Sequence, residues 1–278
     1  MIIRKVKDFN PDHIFDCGQC FRWDRQQDGS YSGTAYGKVV NVRMEPAGSV
    51  CEGELIIDNA QEDDWEKIWK RYFDIDRDYG RIKRILAERD SIIMKKAIEH
   101  GCGIRILRQQ PWEALVSFII SQNNNIPRIK KNINGLSSSF GEPAGNYGGK
   151  DYYDIPTPDV LACLTLDDLA PLHLGYRARY LIETAKAVCS GKKIEADHLT
   201  DFCGVGPKVA NCVALFALDR FESFPIDTWV RQLMHEFYGF DEKDVKGMAS
   251  FAEDRFGEYG GIAQQYLFYY MRDYAGRK

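Results

Sequence analysis

The sequence lacks any long hydrophobic run. Among its 278 residues no stretch approaches the roughly 18 consecutive apolar residues that a membrane-spanning helix needs. No apolar segment with a cleavage site follows Met1 to Lys5, so we expect a cytoplasmic protein. We also find no internal repeat and no low-complexity tail. These absences, with 44% apolar and 13% aromatic residues, indicate a globular protein.

Histidine is scarce, and the cysteines are not arranged as a metal site. None of the five histidines falls in a motif described below, which argues against histidine acid–base catalysis. The eight cysteines are scattered, and their one tight pair, Cys17 and Cys20, lacks a second pair at zinc spacing. The C-terminal region has too few cysteines for a four-cysteine iron–sulfur cluster. We therefore expect reduced thiols, no catalytic metal and no cofactor.

The charge is negative overall but unevenly distributed. The chain has 41 acidic and 37 basic residues, a net charge of −4, which ordinarily argues against a nucleic-acid partner. Residues 81–150, however, contain 12 basic and 5 acidic side chains. Because one segment concentrates the positive charge, a polyanionic partner is not excluded.

The pattern of apolar residues changes along the chain. Short β-rich runs separated by turn residues extend to about Glu54 and predict an antiparallel sheet. From Asp63 onward the spacing is helical, and we predict no further strands. A helix begins behind Pro111 and ends in the polar cluster at 121–125, and the stretch from Gly141 to Tyr153 is predicted to be a long loop.

Two glycines bracket one apolar residue between two predicted helices. Gly204, Val205 and Gly206 form this turn. Such a hairpin exposes backbone N–H groups at the start of its second helix, where a phosphate can bind without any net basic charge on the protein. An ordinary corner between two helices has the same pattern, so the turn alone does not decide between the two.

A lysine and an aspartate follow the hairpin at a specific spacing. Lys208 comes two residues after Gly206, and Asp227 follows nineteen residues later behind Pro225. Here the sequence resembles the helix-hairpin-helix DNA glycosylases that have a Gly/Pro-rich loop and an aspartate, and in particular their 8-oxoguanine DNA glycosylase branch. The matching stretches occur in the family's order, at 18–23, 121–128, 174–180, 204–212 and 224–229.

The resemblance implies an α+β architecture and three structural units. We predict an N-terminal antiparallel sheet domain over residues 1–86 and a central helical subdomain over 87–195. The C-terminal helical subdomain, 196–278, carries the helix-hairpin-helix and the Gly/Pro–Asp loop. By the same resemblance, backbone carbonyls of the hairpin can hold a cation without side-chain ligands.

The resemblance also implies a reaction. Lys208 attacks C1′ of a nucleotide, displaces 8-oxoguanine and leaves a Schiff base, from which β-elimination cleaves the strand. Asp227 stabilises the positive charge that develops on the sugar. On sequence alone, the simpler interpretation of Lys208 is a solvated or phosphate-contacting residue in the first turn of a helix, and Asp227 opens a helical pattern as an N-cap.

Further residues are assigned to base recognition by the resemblance. The Gly18 carbonyl accepts the N7 hydrogen that 8-oxoguanine has and guanine lacks, while Gln264 binds the Watson–Crick edge. Cys212 and Phe268 sandwich the base. The estranged cytosine and the space left by the flipped nucleotide are assigned to four residues, Asn123, Arg128, Tyr176 and Arg177.

The partner is then duplex DNA containing 8-oxoguanine opposite cytosine, bound by a monomer that is nucleoid-associated if prokaryotic. Two positions depart from the eukaryotic pattern, because Trp229 replaces a phosphate-binding histidine and Asn211 replaces an aspartate. Two alternatives stay open. One is a related glycosylase for other oxidised or alkylated purines, and the other is a non-catalytic helix-hairpin-helix module that binds damaged DNA.

Overall fold

The N-terminal part forms a five-stranded antiparallel sheet with the strand order β1-β5-β4-β3-β2. The computed structural model of the protein describes residues 1–90 and 92–275. The strands are β1 Ile2–Lys7, β2 Trp23–Arg25, β3 Tyr31–Ala35, β4 Lys38–Ala47 and β5 Ser49–Asp58. The first strand pairs with the last, from Ile2 opposite Ile57 to Lys7 opposite Glu52. The sheet is open, with β1 and β2 at its two edges.

Helices make up most of the remaining chain, and the predicted α+β architecture is confirmed. They are α1 Pro11–Phe15, α2 Glu62–Asp64, α3 Lys70–Tyr72, α4 Tyr79–Arg89, α5 Met94–His100, α6 Pro111–Ser121, α7 Ile126–Phe140, α8 Pro158–Cys163, α9 Leu166–Leu169, α10 Arg177–Cys189, α11 Pro207–Ala217, α12 Thr228–Tyr238, α13 Val245–Phe256 and α14 Gly260–Ala275. A π-helical turn, Trp65–Trp69, joins α2 to α3, and 3₁₀ turns occupy Ala170–Leu172, Ala196–Asp201 and Gly257–Tyr259. Within the described residues no helix is long and apolar enough to cross a bilayer.

The predicted loop from Gly141 to Tyr153 is wrong, and so is the prediction that no strands follow Asp63. The stretch forms a hairpin of β6 Pro143–Tyr147 and β7 Lys150–Tyr153. Its two-residue turn consists of Gly148 and Gly149, with φ angles of 60° and 79°. Positive φ at both turn residues matches the twist of a tight hairpin. The pair of glycines that allows it is a sequence signal that the loop prediction overlooked. The hairpin packs against β3 and β4 of the main sheet.

Two hydrophobic cores meet where the sheet domain and the helices touch. The sheet core includes Leu107, which comes from the segment before α6, and the helical core includes Cys17 and Phe21 from the N-terminal part. A buried ion pair joins Arg22 to Glu113 of α6 across this boundary, at 2.9 Å. The sheet domain is therefore tied to the helices by residues on both sides. The predicted boundaries at residues 86 and 195 stay predictions.

The expectation that all cysteines are reduced is wrong for one pair. Cys51 in β5 and Cys102 after α5 form a disulfide, with their Cα atoms 6.3 Å apart. Phe9 and Asn10 bridge the two segments by backbone hydrogen bonds. The N–H of Phe9 donates to the carbonyl of Cys51, and the N–H of Asn10 donates to the carbonyl of Gly103. The sequence separation of 51 residues conceals this proximity, which arises only when the sheet packs on the helices.

We predict that this disulfide stabilises the fold. A bridge that closes a loop of 51 residues lowers the entropy of the unfolded chain by an amount equivalent to about 4 kcal/mol. Urea unfolding of the oxidised protein should therefore give a free energy of unfolding larger by about this amount than unfolding with dithiothreitol.

Two double variants serve as controls for this measurement. Cys51→Ala/Cys102→Ala should be insensitive to the reductant. Cys163→Ala/Cys189→Ala, which removes two exposed free thiols, should keep the full response. An unaltered protein that responds to dithiothreitol no more than the first variant would contradict the prediction.

Candidate active site

The hairpin before α11 presents the start of that helix to solvent. Gly204 has a φ angle of 75°, and an added Cβ would lie 2.2 Å from the nearest Tyr180 ring carbon. Gly206 is the N-cap of α11, and a Cβ there would meet nothing within 4 Å. The hairpin is thus closed against Tyr180 on one side and open at the helix N-terminus. The element before it is a 3₁₀ turn and not the full helix that the pattern predicts.

Lys208 occupies the second position of α11 and is half-buried. Its Nζ lies 5.5 Å from the centroid of the Phe118 ring, which comes from α6. Cys212, one turn later in the same helix, is 4% exposed. Burial raises the pKa of the Cys212 thiol, and the neighbouring Lys208 charge opposes this shift. The lysine therefore lies between an aromatic ring and a thiol, on the face that the helix turns toward the core.

Asp227 caps the helix that follows. Its Oδ1 accepts a hydrogen bond from the backbone N–H of Val230 at 2.8 Å, so the N-cap predicted for it is confirmed. Burial raises the pKa of the Asp227 carboxyl, while the Val230 amide and the positive charge of Lys208 lower it. The lysine charge reaches the carboxylate across the space between the starts of α11 and α12. Lys208 and Asp227 thus lie at the starts of α11 and α12, near enough for the charge of one to act on the other.

Gly18 lies directly against Phe268. Its φ angle is 77°, and an added Cβ would be 3.1 Å from Cε1 of the Phe268 ring. Phe268 is 9% exposed on α14, and Gln264, one turn earlier, is 3% exposed. The Oε1 of Gln264 accepts from Gln265 at 2.8 Å. The structure thus brings Gly18, Gln264 and Phe268 together from opposite ends of the chain, and Cys212 belongs to the same core.

A second group of predicted residues gathers at the loop between α6 and α7. Asn123 is exposed in that loop with a left-handed φ angle of 46°. Arg177, at the start of α10, is only 5% exposed, and its guanidinium donates to the carbonyls of Gln122, Asn123 and Leu174. The prediction assigned the guanidinium N–H groups of Arg177 to cytosine, but here they are hydrogen-bonded to these carbonyls. In this conformation Arg177 holds the loop that presents Asn123.

Tyr176 and Arg128 are more accessible than Arg177. Tyr176 is 49% exposed, and the Arg177 guanidinium lies 4.6 Å from the centroid of its ring. Arg128 is exposed near the start of α7 and donates to the carbonyl of His173 at 3.1 Å. Because Tyr176 also packs edge-on against Tyr180, with ring centroids 5.4 Å apart, this group continues into the hairpin at Gly204.

Three buried residues that support the site were not singled out from the sequence. Phe118 lies under Lys208, in a helix that is buried on nearly every side, so no single apolar face marks this residue in the sequence. Gln19 is 0% exposed and donates to the backbone carbonyl of Arg105, and Gln109 is 4% exposed and donates to the backbone carbonyl of Gln19, next to Gly18. The amides carry no sequence signal of their own, since buried and exposed glutamines look alike in a single sequence.

Comparison with known proteins places this geometry in a family. Residues 1–115 match the model for the N-terminal domain of 8-oxoguanine DNA glycosylase. Residues 116–256 match the model for the HhH-GPD superfamily of base excision DNA repair proteins. The chain is a member of the 8-oxoguanine DNA glycosylase family. The resemblance drawn from the hairpin, the lysine and the aspartate is thereby confirmed.

Relatives of the family match nearly the whole chain. N-glycosylase/DNA lyase OGG1 of Arabidopsis thaliana is 32% identical over 91% of this chain and 75% of its own. N-glycosylase/DNA lyase of Saccharomyces cerevisiae is 31% identical over 81% of this chain and 67% of its own. The structure of Clostridium acetobutylicum 8-oxoguanine glycosylase/lyase with double-stranded DNA containing cytosine opposite 8-oxoguanine is 41% identical. It covers 99% of both chains with a TM-score of 0.91.

We predict that Gly204 is required for packing as well as for backbone conformation. Gly204 and Gly239 have the same φ angle of 75°, but an added Cβ at Gly239 would meet nothing within 4 Å. Gly239→Ala should therefore cost only the strain of the left-handed backbone, about 1 kcal/mol. Gly204→Ala should cost a further 1 to 3 kcal/mol, roughly, because the Tyr180 ring must move.

Urea unfolding of the two variants measures this difference. Equal losses in the free energy of unfolding would show that the Tyr180 contact contributes nothing at Gly204.

Proposed function

We propose that the protein is a bifunctional DNA glycosylase and DNA-(apurinic or apyrimidinic site) lyase that excises 8-oxoguanine opposite cytosine from duplex DNA. The observation that carries this proposal is the placement of Lys208 in the first turn of α11, directly behind the glycine hairpin, and of Asp227 as the N-cap of α12. The family membership and the relatives named as glycosylase/lyase support it.

Lys208 performs the covalent chemistry in this proposal. Its neutral amine attacks C1′ of the flipped nucleotide, the bond from C1′ to N9 breaks, and the base leaves with the bonding electrons and gains a proton. Opening of the sugar ring gives an imine between Nζ and C1′. The imine acidifies the C2′ hydrogen, whose loss expels the 3′ phosphate and cleaves the strand. No redox cofactor enters either step.

Asp227 acts electrostatically. The Lys208 charge lowers the pKa of the Asp227 carboxyl, and we assign this carboxylate a place beside the sugar that Lys208 attacks. As the bond to the base breaks, positive charge develops on the sugar, and a fixed carboxylate stabilises it. Its hydrogen bond from Val230 holds the carboxylate in position before the substrate arrives.

The residues around Gly18 and Phe268 read the base. The Gly18 carbonyl accepts the N7 hydrogen of 8-oxoguanine and faces a lone pair in guanine, a difference of about 1 to 3 kcal/mol. Gln264 binds the Watson–Crick edge, and Cys212 and Phe268 contact the two faces. The 3.1 Å approach of a Gly18 Cβ to the ring explains why this position carries no side chain.

The second group of residues binds the DNA around the flipped nucleotide. Asn123 fills the vacated space, Tyr176 wedges beside it, and Arg128 binds the estranged cytosine, whose N3 and O2 accept from an arginine fork. Arg177 joins Arg128 on cytosine once its bonds to the 122–123 carbonyls are exchanged for bonds to the base.

The hairpin binds the backbone of the DNA. The N–H groups around Gly204, Val205 and Gly206 bind a phosphate, and the carbonyls of the hairpin can hold a cation. We assign this DNA-binding activity to a monomer in the cytoplasm, which is associated with the nucleoid if the cell is prokaryotic.

Single-turnover base release tests the proposed function. We expect the unaltered protein to release 8-oxoguanine fastest from duplexes with cytosine opposite the lesion. Lys208→Gln should reduce release at least 1,000-fold. Lys246→Gln is a matched control, because Lys246 is an exposed lysine at the same second position of α13, and it should retain the full rate.

Three results would contradict the proposal. Release that survives in Lys208→Gln would remove the nucleophile from its role. Binding of damaged DNA without any release would favour a non-catalytic module. Faster release of an alkylated purine than of 8-oxoguanine would favour a related glycosylase.

A further inference from the structure

The loop that carries Gly18 lies outside regular secondary structure. It runs from the end of α1 at Phe15 to the start of β2 at Trp23, so no strand ladder or helix fixes its backbone. Yet the Gly18 carbonyl must hold a defined position if it is to distinguish one hydrogen on the base. Buried side chains therefore have to place this loop.

Gln19 anchors the loop with its side-chain amide. The residue is 0% exposed. Its Nε2 donates to the carbonyls of Arg105 at 2.8 Å and Ile14 at 3.0 Å, and its Oε1 accepts from the backbone N–H of Leu107 at 2.8 Å. Both ends of the amide are thus bonded to backbone, on α1 and on the segment before α6.

Gln109 holds the same loop from the other side. Its Nε2 donates to the backbone carbonyl of Gln19 at 2.7 Å, one residue from the Gly18 carbonyl. Its own backbone N–H donates to the carbonyl of Phe216 at 2.8 Å. Phe216 lies in the last turn of α11, the helix that begins beside Lys208. One residue therefore bonds both the base-reading loop and the helix that carries the lysine.

Stacked aromatic rings make a second connection between the same elements. Phe21 packs edge-on against Phe118, with centroids 5.7 Å apart, and Phe118 stacks on Phe216 at 5.4 Å. Lys208 lies over the same Phe118 ring. These contacts hold α11, with Lys208, against α6 by packing. Loss of the Gln109 side-chain amide is therefore expected to release the Gly18 loop and leave α11 in place.

We propose that Gln19 and Gln109 are positioning residues for base discrimination. They set the distance between the Gly18 carbonyl and N7 of the base in the pocket, and they act through Gly18 without touching the DNA. The inference rests on the proposed function, because it assigns the pair to the discrimination between 8-oxoguanine and guanine.

Removing the side-chain amide of Gln109 should weaken discrimination between 8-oxoguanine and guanine more than it slows the lyase step. Gln109→Met keeps the shape of the side chain but leaves the Gln19 carbonyl buried without a hydrogen-bond donor. We expect the Gly18 loop to shift until this carbonyl has another donor. A hydrogen bond to N7 weakens steeply as its length and angle change, whereas the lysine and the aspartate lie on α11 and at the start of α12. The lyase step does not read the base and should be spared.

Equilibrium binding measures the discrimination directly. In a Lys208→Gln background, which prevents turnover, the ratio of Kd for guanine:cytosine to Kd for 8-oxoguanine:cytosine duplexes should fall about 10-fold on adding Gln109→Met. Asn41→Leu is the matched control, because Asn41 is a 4% exposed amide bonded within the sheet, away from the pocket. Its ratio should not change. An unchanged ratio in Gln109→Met would overturn the inference.

Two further measurements separate positioning from loss of fold. With Lys208 intact, Gln109→Met should cleave a preformed abasic site within about 2-fold of the unaltered rate, and an equal fall in cleavage and base release would contradict the inference. Gln109→Glu can donate to the Gln19 carbonyl only when protonated, so its Kd ratio should recover as the pH is lowered. A pH-independent ratio in that variant would count against the hydrogen bond.

The same experiments keep the two proposals apart. If the unaltered protein releases no 8-oxoguanine, the proposed function fails. If it does release the base and Gln109→Met keeps full discrimination, only the role of the glutamine pair fails.

Discussion

The contact between Gly18 and Phe268 is the constraint on which the pocket depends. The two residues are 250 positions apart, and a Cβ at Gly18 would lie 3.1 Å from the ring. The approach requires the Gly18 loop to lie against the last helix, and the buried bonds of Gln19 and Gln109 hold that loop on the segment before α6. In the function we propose, the interface between the sheet domain and the helices is therefore part of the active site.

The negative net charge of the chain is compatible with DNA binding. Cations are concentrated locally, as with Arg128 in the basic segment, and the hairpin amides, to which we assign phosphate binding, do not appear in any count of charges. Lys208 and Asp227 lie at helix N-termini in a partly buried space, where electrostatic interactions are stronger than in water. The protein therefore achieves local binding and catalysis with a net charge of −4.

Much of the fold, with the hairpin and the helix caps of the candidate site, could be predicted from the sequence, because hairpin glycines, helix caps and apolar spacing are local signals. The other site residues were assigned by the family resemblance. The helix behind Pro111, the Asp227 cap and the N-terminal sheet are such cases. Long-range pairings could not be predicted. The disulfide from Cys51 joins segments that meet only after folding, and the bonds of Arg177 to the 122–123 carbonyls depend on how α10 packs beside α6.

The covalent step at Lys208 is the central claim, and mass spectrometry of a trapped adduct tests it most directly. The unaltered protein is incubated with an 8-oxoguanine:cytosine duplex in borohydride, which reduces the imine to a stable amine, and is then digested with protease. We predict that the sugar remnant lies on the peptide containing Lys208 and on no other lysine. A remnant on a different residue, or base release with no adduct, would contradict the account.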